Sequence, residues 1–311
     1  MEQKTTGRLY IFLPWILTFA LLAWVLTLTF MGTVSLFGDY SGSTNPIESE
    51  FKKMDLLATM RIHLLEAIEA EKNAVLATTD EASENFAGRA RHAADEVENR
   101  RKEVESIIQQ EKFPPELEVL NNFTVCWSQF RKLDDTILAL ATQNTNLKAQ
   151  KLSATQGAQK MESFEQSLNR LIHRNTANNR CNTSVMFSYQ ALTSALKIFA
   201  LHQLHIEEVN DQEMDKIELS IKSYDQSVRE ALGALRNMTD LKDSEDLNNA
   251  GTAYEQFMKL TDEVLRLSRM NTNIKSAELS LGKKELISSQ CRENLATLQQ
   301  TVQTRQFKAT R

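Results

Sequence analysis

The second half of this chain repeats the first at a fixed distance. Trp127–Ser153 and Tyr254–Ser280 align without a gap at an offset of 127 residues, with 13 of 27 positions identical. The shared pattern runs from Gln-Phe-x-Lys-Leu-x-Asp, at Gln129 and Gln256, to Asn144-Thr145-Asn146-x-Lys148 and Asn271-Thr272-Asn273-x-Lys275. Upstream, Glu118, Leu120, Asn121 and Asn122 match Glu245, Leu247, Asn248 and Asn249 at the same offset. Self-similarity at a fixed period marks one supersecondary unit built more than once, so both copies are expected to fold alike.

The unit is helical. The 311 residues include only nine glycines and four prolines, and no proline follows Pro115. Proline costs about 3 kcal/mol inside a helix, and sheet proteins need frequent Gly/Pro turns, so the deficit predicts long helices. A hydrophobic share of 41% and a charged share of 25% exclude a disordered or collagen-like chain. A net charge of −5, with no long basic run, excludes nucleic acid as the expected partner.

In the first copy, Leu57, Met60, Leu64, Ile68 and Val75 lie on one helix face. Thr79 or Asp80 caps a second helix through Phe86, Val97, Val104 and Ile108, and Pro114-Pro115 opens a third through Phe123, Phe130 and Ile137. Ser153-Ala-Thr-Gln156 reads as a capping box that starts a fourth helix through Met161, Phe164 and Leu168. The second copy repeats this from near Thr183, Asn210, Ser244 and Lys275–Ser280. Helices of about 30 residues are about 45 Å long, and stripes near a 3.5 spacing favour up-down bundles. The expected fold class is therefore all-α, an N-terminal transmembrane helix followed by two tandem up-down four-helix bundles, residues 51–178 and 179–311. Arg174–Thr183 is rich in poor helix formers, which favours a turn there and bundles lying side by side; a continuous helix would stack them end to end.

Residues 9–38 contain no charged side chain, a run of 30. About 20 apolar residues span a bilayer, whereas a cleaved signal peptide has an apolar stretch of roughly 7–15. Residues 1–38 are thus expected to be a cytoplasmic stub and an uncleaved membrane anchor. Residues 39–50, with Gly42 and Pro46, form a linker. Lys4 and Arg8 precede the span and Asp39, Glu48 and Glu50 follow it, so the N-terminus is expected in the cytoplasm and the bundles on the extracytoplasmic, periplasmic side. No second apolar run of membrane length follows, so the expectation is a single-pass protein of the inner membrane. Cys126, Cys181 and Cys291 are odd in number; export permits a disulfide, but a buried small hydrophobe is the simpler expectation for each.

The stretch Ala70-Glu71-Lys72-Asn73-Ala74-Val75-Leu76-Ala77-Thr78-Thr79-Asp80, on an anchored bundle of this length, resembles the end of the first helix in the four-helix-bundle sensor domain of methyl-accepting chemotaxis receptors. The resemblance covers roughly residues 50–175 and, by duplication, 180–308. It implies an extracytoplasmic domain that binds small molecules between helices or across a dimer interface and passes signals through a second membrane helix. The expected partners are therefore the membrane, a second copy or another membrane protein, and a small-molecule ligand.

Two groups of residues are candidate sites. His202, His205 and Glu208, three apart on one helix, are spaced to hold a metal; the competing reading is a hydrogen-bonded core histidine. Asn144, Asn146 and Lys148, repeated as Asn271, Asn273 and Lys275, are candidates for a polar ligand pocket. A register-setting or helix-end role competes with it, since Asn144 and Asn271 lie on the apolar stripes. Glu71 also falls on a stripe and is expected to snorkel or pair. No nucleophile elbow, phosphate loop or CxxC pair is present, so neither an enzyme nor a cofactor is expected.

Overall fold

The computed structural model describes residues 46–177, 182–239, 241 and 244–309. The expected anchor at 9–38 lies outside them, and among the described residues no helix is long and apolar enough to cross a membrane. All described elements are helical. They are α1 (Pro46–Leu76), α2 (Asp80–Glu111), α3 (Pro114–Ala141), α4 (Thr145–Leu152), a π-helical turn (Ser153–Gly157) and α5 (Ala158–Ala177) in the first copy. The second copy has α6 (Asn182–Glu207), α7 (Asp211–Arg236), α8 (Glu245–Met270), α9 (Thr272–Leu279), a π-helical turn (Ser280–Lys284) and α10 (Glu285–Ala309).

Local chemistry explains the starts. Thr79 accepts from the Ala82 N–H, Asn210 from those of Gln212 and Glu213, and Ser244 from that of Leu247, each satisfying an otherwise unpaired donor. Proline begins α3, where a missing N–H costs little. Ser153-Ala-Thr-Gln156 does not start a helix. The fourth helix already begins at Thr145, and the motif forms the π turn inside it.

The two copies exchange their fourth helices. One core joins Leu57, Met60 and Leu64 of α1, Val97 and Val104 of α2 and Phe123 and Phe130 of α3 to Cys291, Leu295 and Val302 of α10. The other joins Phe164 and Leu168 of α5 to Ala195 and Ile198 of α6, Val228 of α7 and Phe257 of α8. Each four-helix bundle thus takes three helices from one copy and one from the other. The expected partition at 178/179 therefore does not separate the cores. The chain passes between bundles after Ala141 and after Met270, not at 174–183.

The arrangement is end to end rather than side by side. Helix α3 runs out of the first bundle and resumes as α4–α5 in the second, while α8 returns as α9–α10. The turns after α1 and α6 both abut this crossing, through Asp80 and through the carbonyls of Ile206 and Glu208. At the far end of the second bundle, Arg170 and Arg174 near the close of α5 pair with Asp246 at the start of α8. At the opposite end, the first turns of α1 and the last of α10 lie together, and we call the bundle there proximal.

A disulfide joins Cys126 of α3 to Cys291 of α10, closing 165 residues and tying one copy to the other. It replaces the expectation of two buried free thiols. The third cysteine, Cys181, lies outside the described residues. The equivalent positions in the distal bundle are Ala253 and Phe164, and there Phe164 packs on Tyr254 with ring centres 5.3 Å apart.

Candidate functional site

The repeated Asn-Thr-Asn segments meet at the crossing. Asn144 and Asn271 have φ of 51° and 53°, the left-handed region that asparagine tolerates better than most residues. Asn271 closes α8 and opens α9, while Asn144, two residues past the Thr142 cap of α3, opens α4. The Asn146 amide donates to Asn271 Oδ1 at 2.7 Å, and the Asn273 amide to Asn144 Oδ1 at 2.9 Å. Asn144 and Asn271 in turn donate to Asp80 Oδ1 and to the Glu208 carbonyl. Lys148 and Lys275 donate to the Gln143 and Met270 carbonyls, closing the ends of α3 and α8. The structure therefore brings all six proposed ligand residues together, with these polar groups engaged in holding the crossing.

A second polar feature lies deeper, at each π turn. The N-caps Thr79 and Asn210 place the first two helices of the copies at an offset of 131, which makes Glu71 the counterpart of His202. At the offset of 127, Asp134 corresponds to Thr261, Ser280 to Ser153, Lys284 to Gly157 and Phe130 to Phe257. Both bundles thus set one titratable side chain of the first helix against the π turn and the third helix. Short π segments recur at functional sites because the extra residue widens the helix and re-aims side chains.

In the proximal bundle, Glu71, Asp134 and Lys284 are all buried. The Lys284 ammonium donates to Asp134 Oδ1 and sits 3.4 Å from the centre of the Phe130 ring. Neither oxygen of Glu71 makes a hydrogen bond of normal geometry, so it neither snorkels nor pairs directly. Burial pushes the Glu71 carboxyl up and Asp134 adds to this, against the Ser280 hydroxyl and the Lys284 charge. Burial likewise raises Asp134 and lowers Lys284, with their mutual attraction opposing both. With Lys284 and Asp134 neutralising one another, Glu71 is the uncompensated group.

In the distal bundle His202 replaces that carboxylate. Its Nδ1 lies 2.9 Å from Ser153 Oγ and its Nε2 3.0 Å from Thr261 Oγ1, and its ring stacks on Phe257. Thr261 donates its own proton to the Phe257 carbonyl, so it accepts from Nε2–H, and Nδ1 accepts from Ser153. The neutral imidazole satisfies all three groups, and burial, with His205 nearby, lowers its pKa to about 4. His205 reaches Ser268 and Glu218, while Glu208 accepts from the N–H groups of Val209 and Asn210 in the turn. The three proposed metal ligands thus point to separate partners. His202 and His205 share a helix face as their spacing implies, whereas Glu208 lies just past the end of α6, and the facing serines and threonine come from other elements.

Sequence reasoning missed a further cluster at the proximal end. Lys53 lies among Glu50, Glu111 and Glu116, at 3.1, 2.7 and 2.9 Å. Arg305 reaches the same three carboxylates from α10. Burial works against the Lys53 charge, but the three acids outweigh it and raise the pKa. Among the described residues, the carboxylates of Glu50, Glu111 and Glu116 converge as a metal's ligands would, but the Lys53 ammonium stands between them. Beside the cluster, a cleft of about 680 Å³ is lined by Phe113, Pro115, Thr301 and Arg305.

Comparison with protein families places a match over residues 15–179, to a family described as a four helix bundle sensory module for signal transduction. The match covers more than half of the chain. Its last helix, α5, is the one that crosses into the distal bundle. Comparison with curated proteins finds no match.

Proposed function

Because this chain belongs to the family of four-helix-bundle sensory modules for signal transduction, we propose that its stacked bundles are the extracytoplasmic, stimulus-receiving part of a membrane-anchored signalling protein. The observation that carries this reading is the convergence of α1 and α10 on the Lys53–Arg305 cluster. The apolar run at 9–38 leads into α1, so this end faces the membrane, and any shift of α10 against α1 arrives there. The Cys126–Cys291 bond supports an oxidising compartment, where disulfides persist. The stimulus in this reading is a small molecule or a protein partner received by the bundles, and the output is mechanical rather than catalytic.

Reporter fusions after Arg311 test the topology. Alkaline phosphatase, which needs an oxidising compartment, is expected to be active and green fluorescent protein dark; the reverse pattern overturns the reading. Thermal shifts of the full chain in detergent, screened with amino acids, organic acids and metal ions, test reception of a ligand.

A membrane-tethered scaffold is the second reading. It is favoured by exposed apolar residues at helical spacing on α1 (Phe51, Ile62, Leu65) and on α6 (Met186, Tyr189, Leu196). Its expected partner is a second copy, and a concentration-independent monomer in analytical ultracentrifugation would rule that out.

A further inference from the structure

We propose that proton binding at Glu71 and at His202 shifts the packing of the two stacked bundles in opposite directions, which makes the proton a stimulus for this chain. The role as a stimulus rests on the sensory reading above; the proton sites themselves do not.

The geometry supplies the argument. Glu71 faces Asp134, with Asp135 beside it, from α3, and Ser280 and Lys284 from the π turn; Lys72 neighbours it on α1. Helix α2 contributes Ala87 and Ala90, with Phe86 packed against them, to the apolar cluster formed with Ala70, Ala74 and Leu138. The Lys72–Glu285 pair, at 2.8 Å, closes the exposed rim toward α10. An ionised Glu71 leaves this buried cluster with one net negative charge and at most the Ser280 hydroxyl to solvate its carboxylate, whereas a protonated one makes it neutral. Acidification therefore relieves the proximal core, and alkalinisation strains it.

The distal centre behaves in the opposite sense. His202 faces Ser153 from the π turn and Thr261 and Phe257 from α8, with His205 on its own helix. The Glu218–Arg269 pair contributed by α7 and α8 lies beside His205. An added proton on His202 abolishes the acceptor that Ser153 needs and introduces a buried cation with no carboxylate against it. Acidification therefore strains this core. The crossing segments, α3 through α5 and α8 through α10, run through both bundles, so a change at either centre reaches the other along them. Glu71 on α1 and Lys284 just before α10 sit on the two helices that end at the Lys53–Arg305 cluster.

The test uses the full chain in detergent with Trp15→Phe and Trp24→Phe, which leaves Trp127 as the sole tryptophan. Trp127 stacks 4.9 Å from Phe130, beside Lys284, and so reports on the proximal core. Urea midpoints followed by its fluorescence are expected to fall as pH rises from about 5 to 8.5. The folded-to-unfolded ratio should drop by up to about tenfold per pH unit, and Glu71→Gln should remove that slope. In hydrogen exchange corrected for intrinsic rates, α6 should lose protection below about pH 6 in the wild type and keep it in His202→Gln.

Equal slopes for wild type and Glu71→Gln overturn the proposal, as does unchanged acid protection of α6. If Glu71→Gln fails to fold, carbon-13 titration of the wild-type Glu71 carboxyl decides, and a midpoint at the ordinary 4.5 overturns it. These results leave the sensory reading standing or falling on its own fusion and ligand tests.

Discussion

The backbone N–H of Thr145 donates to Thr272 Oγ1 at 3.1 Å, and that of Thr272 donates to Thr145 Oγ1 at 3.2 Å. The two residues are 127 apart, so the bond pair is the repeat meeting itself across a local pseudo-two-fold. Both threonines are buried. Replacing either with valine keeps the shape and orphans one buried N–H. Thr145→Val or Thr272→Val should cost about 1–3 kcal/mol each. The double variant should depart from the sum of the singles, because the hydroxyls also contact each other at 3.1 Å. Urea unfolding of the four proteins measures this, and strict additivity would count against the mutual pairing.

Exchange of the fourth helices makes a covalent prediction. With a specific protease site inserted between Ala177 and Asn182, cleavage should leave the halves joined through Cys126 and Cys291 on a non-reducing gel and separate them on a reducing one. Closure of each copy on itself would set Cys126 opposite Phe164, and two bands would appear in both gels. Cys126→Ala with Cys291→Ala should lower stability by about 2–4 kcal/mol.

Glu98 gives the proximal bundle an acid limit. Its carboxylate pairs with Arg101 and accepts from Trp127 Nε1 at 2.9 Å, and Arg101 above all holds its pKa down at about 2. A depressed carboxylate stabilises the fold above its ordinary value and loses that contribution as pH falls toward the folded one. Stability should therefore drop between pH 4.5 and about 2, by about 1–2 kcal/mol after allowance for solvent screening. Glu98→Gln should flatten the acid limb of a Trp127 fluorescence titration.

Lys53→Met should leave three carboxylates facing one another, with Arg305 alone to balance them. Loss of one partner from a buried ion cluster costs about 3–5 kcal/mol. Lys53→Met combined with Glu116→Leu should recover part of that, since Glu116 is fully buried with Lys53. Calorimetric melting of the three proteins checks the order; a Lys53→Met variant as stable as wild type would show that the cluster does not clamp the proximal end.

Helix spans and caps were legible because their causes are local. Thr79, Asn210 and Ser244 cap where a polar side chain precedes an apolar period, and Pro114 opens α3 for the same kind of reason. Ser153-Ala-Thr-Gln156 misled because a capping box and a π turn use the same residue types. What separates them is that Ser153 meets His202, 49 residues away. The expectation that Glu71 snorkels or pairs does not reveal its burial, because Asp134, Ser280 and Lys284 reach it from α3 and the π turn, far away in sequence.

The sequence by itself determined a duplicated, all-helical chain, with its repeat offset, its helix-breaking asparagines and an apolar run ahead of the bundles. Those follow from periodicity and backbone propensity, which act over a few residues. Only the tertiary structure decided which copy supplies each fourth helix, which cysteines pair and which polar groups are shut in the core. The two copies present such similar faces to a fourth helix that the pattern of apolar residues does not choose between them. The choice rests on pairs formed across the chain: Cys126 with Cys291, Asp134 with Lys284, and Thr145 with Thr272.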